Sequence, residues 1–85
     1  MHAALSREAV GSYSLLYTWT GSDPSLKPIL LLGHMDVVPI EPGTEGKWEH
    51  RPFSGDIADG FVWGRGAIDN KATVVGVMES IEMLL

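Results

Sequence analysis

An α/β fold is predicted by three features of this 85-residue sequence. Residues 11–20 alternate Tyr13, Leu15, Tyr17 and Trp19 with Ser12, Ser14, Thr18 and Thr20, the two-residue period of a strand with one covered face. Residues 29–32 form a short unbroken apolar run, the composition of a strand covered on both faces. Residues 71–85 carry Val74, Val77, Met78, Ile81, Leu84 and Leu85 at helical spacing, with Glu79 and Glu82 on the opposite side.

The elements follow in order. The first ten residues hold only Leu5, Ala9 and Val10 as packing candidates and receive no assigned function. Leu16 is the one break in the alternation that follows. Gly21-Ser22-Asp23-Pro24-Ser25 is turn chemistry, and Pro28 suits the start of a strand rather than its interior, where an amide donor is needed. The strand at 29–33 is expected beside the strand at 11–20. Between His34 and Gly60 the many prolines and glycines predict a long ordered loop without a long helix, anchored by Trp48 and Phe53. Phe61, Val62 and Trp63 predict a brief strand. Asp69 or Asn70 is placed to cap the final helix, and Gly76 weakens that helix by about 1 kcal/mol relative to alanine.

Composition excludes several classes. A formal charge of -5 has the wrong sign for a nucleic-acid partner. No apolar run approaches the ~20 residues of a membrane span. Without cysteine there is neither a disulfide nor a thiolate ligand, so any metal must be held by His, Asp or Glu, and no compartment is assigned. Gly-x-Ser-x-Gly, phosphate-loop and His-Glu-x-x-His patterns are absent, which removes serine-hydrolase, nucleotide-hydrolase and thermolysin-like readings. A chain of this length buries only about 60 to 65% of its unfolded surface, a thin core, and with one helix to cover the run at 29–32 either marginal stability or a large exposed apolar surface is expected.

The chemistry-bearing residues sit in two blocks, Gly33-His34-Met35-Asp36-Val37-Val38-Pro39 and Trp63-Gly64-Arg65-Gly66-Ala67-Ile68-Asp69-Asn70-Lys71. His34 follows the apolar run, at the strand end where open α/β sheets keep their ligands. Asp36, two residues on, can accept the hydrogen of the ring nitrogen that faces away from a metal. On spacing alone a ligand and a histidine bonded to its own loop both stay open. Asp69 alone reads first as a helix cap, a role compatible with a carboxylate that spans two ions. Gly64 and Gly66 suit close passage of backbone, and Arg65 a salt bridge. Trp48, Pro52 and Phe53 suit a packed plug, and His2 and His50 read as ordinary surface histidines. A single-metal binding module would need Glu41 or Glu45 beside His34.

These blocks, together with Leu31-Leu32, Trp48 and Pro52-Phe53-Ser54-Gly55, closely resemble the amino-terminal part of the zinc aminoacylase, acetylornithine deacetylase and carboxypeptidase S family. Tyr13-Ser14-Leu15-Leu16 and residues 21–26 look most like its carboxypeptidase S branch, which includes the N-fatty-acyl-amino-acid synthase/hydrolase. The resemblance implies part of a three-layer α/β/α zinc-peptidase catalytic domain with a mixed sheet, incomplete in this chain. Residues 1–85 would be the amino-terminal part of that single domain, without the lid or dimerisation domain. It implies two zinc ions in the complete enzyme, with His34 binding one, Asp36 orienting His34 in a catalytic role, and Asp69 bridging both. The implied substrates are small N-acyl amino acids or peptides, cleaved at an amide by a metal-activated water, and a homodimer stays open for the complete enzyme. The family's Glu-Glu pair, which supplies the general base, has no match here, so the base, the other ligands and the lid are expected beyond Leu85. Ala72 and Asn70 depart from the Gly and Asp of many relatives. The competing expectation is a truncated, non-catalytic piece that binds metal or a partner weakly.

Overall fold

A computed structural model describes residues 3–85, which divide into two compact units, the residues up to Ile29 with Leu85 and the segment Leu30–Leu84. In the first unit β1 (Leu5–Val10) and β2 (Ser14–Trp19) form an antiparallel hairpin. Its register sets Leu5 opposite Trp19, Arg7 opposite Tyr17 and Ala9 opposite Leu15. The alternation predicted for 11–20 is therefore realised over six of those residues: Leu15, Tyr17 and Trp19 share one face, which β1 extends. Only Leu5 and Tyr17 on it are partly covered. Gly11 opens the connection at φ 64°, a left-handed conformation that glycine adopts without cost. Asp23 shapes the turn that follows: its Oδ1 accepts from the Ser25 amide at 2.9 Å and the Ser25 hydroxyl at 2.7 Å. Both bonds stabilise the carboxylate and hold its pKa below the usual value.

The strand expected over 29–32 is not found. Its residues belong to no ladder, and Ile29, Leu30, Leu31 and Leu32 are 59 to 88% exposed. β2 takes β1 as its partner, so the expected pairing of 11–20 with 29–33 is also corrected. The physical reason is cover: a strand apolar on both faces needs flanking strands and layers, and the described residues supply none.

In the second unit the long loop carries a short 3-10 turn, Glu45–Lys47, and then a second hairpin, β3 (Asp56–Ala58) with β4 (Phe61–Trp63). Asp59 (φ 53°) and Gly60 (φ 80°) make its two-residue turn, the left-handed pair that Asp-Gly favours. The indole N–H of Trp63 donates to the Ala58 carbonyl at 3.0 Å, closing the hairpin edge. After β4 an irregular turn, Ala67–Ala72, leads into α1 (Thr73–Leu84). Within the predicted stripe Val74, Val77 and Ile81 are the partly covered positions, whereas Leu84 is exposed.

Among the described residues only Pro52 and Gly66 are buried. The accessible surface is 7525 Å², more than the about 5,900 Å² that two separate compact bodies sharing this mass would leave. Helix and strand content is thus α and β as predicted, in two small antiparallel sheets and one helix, and much of the apolar pattern is uncovered.

Candidate metal centre

All the candidate site residues lie in the second unit, where the backbone at 33–37 is stitched to the turn that leads into α1. Gly33 permits the approach, because a Cβ there would stand 2.9 Å from Val74 Cγ2 and 3.3 Å from Asn70 Oδ1. The His34 amide donates to Asn70 Oδ1 at 3.4 Å, and the Lys71 ammonium donates to the Met35 carbonyl. Gly66 is required by conformation and by space: its φ is 85°, and a Cβ would run into the Val37 side chain. One residue earlier, the Arg65 amide donates to the Pro52 carbonyl at 2.6 Å, tying the turn to the preceding loop.

This stitching brings His34, Asp36 and Asp69 together. The His34 Nδ1 lies 3.3 Å from Asp36 Oδ1 and 3.1 Å from the Asp36 carbonyl, and Nε2 lies 3.2 Å from Asp69 Oδ1. The imidazole is half-exposed and both carboxylates are open to solvent. The cap expected from Asp69 or Asn70 is corrected: Asn70 Oδ1 takes the His34 amide, and Asp69 Oδ1 faces the His34 ring. Asp69 (φ −109°, ψ 92°) is also out of helical conformation, as is Asn70, and the peptide between them is cis.

The three side chains rim a cleft of about 550 Å³ whose walls include Trp48, Phe61 and Arg65. Zinc is held by nitrogen and carboxylate oxygen at ~2.0 to 2.2 Å in tetrahedral geometry, which sets two ligand atoms about 3.3 Å apart. The 3.2 Å between His34 Nε2 and Asp69 Oδ1 fits that spacing, and a Nδ1–H directed at Asp36 leaves Nε2 its lone pair. The donor set therefore suits an ion of zinc's size and chemistry but is short in number. Among the described residues no group of three His, Cys, Asp or Glu side chains is placed to hold one metal ion, so Glu41 and Glu45 do not complete a site with His34.

Two residues behave differently from expectation. His50 is no ordinary surface histidine: its Nδ1 is 3.1 Å from Asp56 Oδ2, and its ring lies 4.6 Å from that of Trp63. The hydrogen bond from His50, with Ser54 adding to it, holds the Asp56 carboxyl below its usual pKa. The signal was the aromatic and turn-rich setting of residues 48–63, in which Asp59-Gly60 fixes a hairpin that carries Asp56 beside the loop. Among the described residues Arg65 forms no salt bridge; its guanidinium lies over the Trp48 ring at 5.1 Å. Of the expected plug, Pro52 is buried and Trp48 partly so, while Phe53 is 62% exposed. His2 lies outside the described residues.

The family pattern described as Peptidase family M20/M25/M40 matches residues 30–85, which include the whole stitched region. The chain belongs to this family. Over 85 residues it is 51% identical to the probable carboxypeptidase S-like 2 of Dictyostelium discoideum, covering 100% of this chain and 16% of that protein. Carboxypeptidase S of Saccharomyces cerevisiae is 49% identical over 87 residues, covering 100% of this chain and 15% of the yeast protein. An N-fatty-acyl-amino acid synthase/hydrolase of Mus musculus is 48% identical over 85 residues, covering 99% and 16% of the two chains. No solved structure matches. The chain spans about one sixth of the length of these M20-family relatives. Both the family and the carboxypeptidase S branch singled out by the sequence are thus met, and peptidases of the M20 family are generally zinc-dependent. No helix among the described residues is long and apolar enough to cross a membrane.

Proposed function

We propose that this chain is the amino-terminal part of one M20-family catalytic domain and carries the first ligands of a two-zinc amidohydrolase or carboxypeptidase. The protein of which it is part would act on N-acyl amino acids or on peptides with a free terminal carboxylate. The observation that carries this reading is the convergence of His34 Nε2 and Asp69 Oδ1 at 3.2 Å, with Asp36 on the far side of the same ring.

Each residue then has a defined task. Asp36 accepts the Nδ1 hydrogen, fixing the tautomer in which Nε2 is a ligand and raising its basicity. His34 would hold a zinc ion through Nε2, and Asp69 would supply a carboxylate ligand beside it. Zinc, when bound, supplies a Lewis acid that polarises the amide carbonyl and activates water. The largely apolar walls of the cleft lower the local dielectric, which strengthens every interaction made there. A glutamate from outside this segment is the proposed general base, since no two glutamates adjoin in the 85 residues.

The test is made on the protein at its relatives' length. Two zinc ions per chain and release of an amino acid from an N-acyl amino acid or a peptide are expected. A protein that retains no metal and cleaves neither substrate overturns the proposal. The absence of a three-donor cluster among the described residues favours a second reading for the 85 residues by themselves, a non-catalytic piece with weak metal affinity.

A further inference from the structure

Arg65 stands on the wall of the same cleft as His34 and Asp69, yet its side chain has no polar partner among the described residues. Its Nε is shielded from water and donates to no hydrogen-bond acceptor, and the guanidinium makes no ion pair among the described residues. Its one contact of note is with the Trp48 ring, 5.1 Å from the guanidinium carbon. Buried polar groups are almost always satisfied, and a shielded donor on a charged group is costly to leave unpaired. Stacking on an aromatic face fixes the plane of a guanidinium while leaving its in-plane N–H edge open, and that edge matches a carboxylate in two parallel hydrogen bonds.

From this we infer that Arg65, placed over the Trp48 ring, is a carboxylate-receiving residue in the cleft, and that the carboxylate it receives is the free terminal carboxylate of the substrate or an acidic side chain of the protein outside residues 1–85. The inference rests on the proposed hydrolase reading for its substrate arm only. Of the cationic side chains nearby, Lys71 is already engaged by the Met35 carbonyl, which leaves Arg65 as the unengaged cation of the cleft wall. An acyl amino acid that offers its amide to the His34–Asp69 rim carries a carboxylate close to that amide, so a cation on the same wall is chemically suited to select acids over their amides.

The experiment compares Arg65→Gln and Arg65→Lys with the parent, all at the relatives' length, on an N-acyl-leucine and the matching N-acyl-leucine amide. If the substrate supplies the carboxylate, Arg65→Gln raises KM for the acid by about 10- to 100-fold, the range of a charge-assisted pair. The amide's KM and kcat for both stay within about threefold, and Arg65→Lys recovers only part of the loss because it lacks the fork. If the protein supplies it, both substrates respond alike and the thermal midpoint of Arg65→Gln falls, with Arg65→Lys intermediate. Unchanged KM ratio and unchanged midpoint in Arg65→Gln overturn the inference. Binding of the acid and the amide to a His34→Ala background, read by tryptophan fluorescence, separates this from failure of the hydrolase reading: preference for the acid that Arg65→Gln abolishes supports the inference even without turnover.

Discussion

Two histidines of the second unit each meet an aspartate at about 3 Å, and the contrast between them says what makes one a candidate ligand. His50 is tied to Asp56 through Nδ1, lies against the Trp63 ring, and is 23% exposed. His34 has a carboxylate at each nitrogen, Asp36 behind and Asp69 in front, and is 50% exposed at a cleft. The first arrangement satisfies a side chain and closes a loop onto a hairpin. The second orients the ring with one partner and sets its other nitrogen 3.2 Å from a carboxylate oxygen, the separation of two ligands on one zinc ion. An aspartate beside a histidine is thus uninformative; the second nitrogen decides.

The largest expected effect breaks this contrast directly. In the protein at its relatives' length, His34→Ala or Asp69→Ala is expected to lower hydrolytic turnover by more than 100-fold with loss of zinc, since removing a ligand exceeds the 10- to 100-fold cost of removing a ligand's partner. His50→Ala is expected to change turnover less than about threefold. Zinc content by mass spectrometry and initial rates report both; equal losses at the two histidines would erase the distinction. Asp36→Asn comes next, with metal affinity lowered by about 10- to 100-fold while the fold is retained.

The isolated 85 residues sharpen the same point. Two converging donors are fewer than the three or four of ordinary zinc sites, so calorimetric titration at pH 7.5 is expected to give at most weak binding. A submicromolar, stoichiometric site that requires His34 would falsify the two-donor description.

A smaller effect separates glycines that hold the site from those that do not. Gly66→Ala is expected to destabilise by about 2 kcal/mol or more, because φ 85° is costly for alanine and its Cβ would strike Val37. Gly76→Ala in α1 is expected to stabilise by about 0.5 to 1 kcal/mol, since a Cβ there meets no atom within 4 Å. Urea denaturation of both variants checks the opposite signs.

What the sequence revealed follows the same division between local and distant causes. The β2 alternation, the Phe61–Trp63 strand and the final helix were legible because each depends on its own period. β3 was missed although Asp59-Gly60, with two left-handed residues, is a strong hairpin signal; three-residue strands are too short to show a period. β1 was missed because Leu5-Ser6-Arg7-Glu8-Ala9-Val10 has a mixed face, and only its register with β2 explains it. The run at 29–32 misled in the other direction, since its composition records cover that the described residues do not provide. Of the candidate site, the residue types of His34, Asp36 and Asp69 were readable, but the stitching by Asn70, Lys71 and Gly33 spans some 36 positions and has no local signature.

The smallest effect tests whether the His50–Asp56 pair is only structural. Its hydrogen bond depresses the Asp56 pKa in the folded state, so in acid the folded protein binds fewer protons than the unfolded chain. The stability the pair contributes is then fully present above the unfolded aspartate value of about 3.9, and is lost as pH falls through the lower folded value. Wild type and His50→Gln are therefore expected to differ in thermal midpoint at about pH 5, with the gap narrowing below about pH 4. Asp23, depressed by Ser25, titrates with the same sign in both proteins and cancels in the comparison. A gap that persists unchanged at pH 2 would mean that His50 stabilises through its ring contact with Trp63 rather than through Asp56, and the two histidines would then differ even in the chemistry they appear to share.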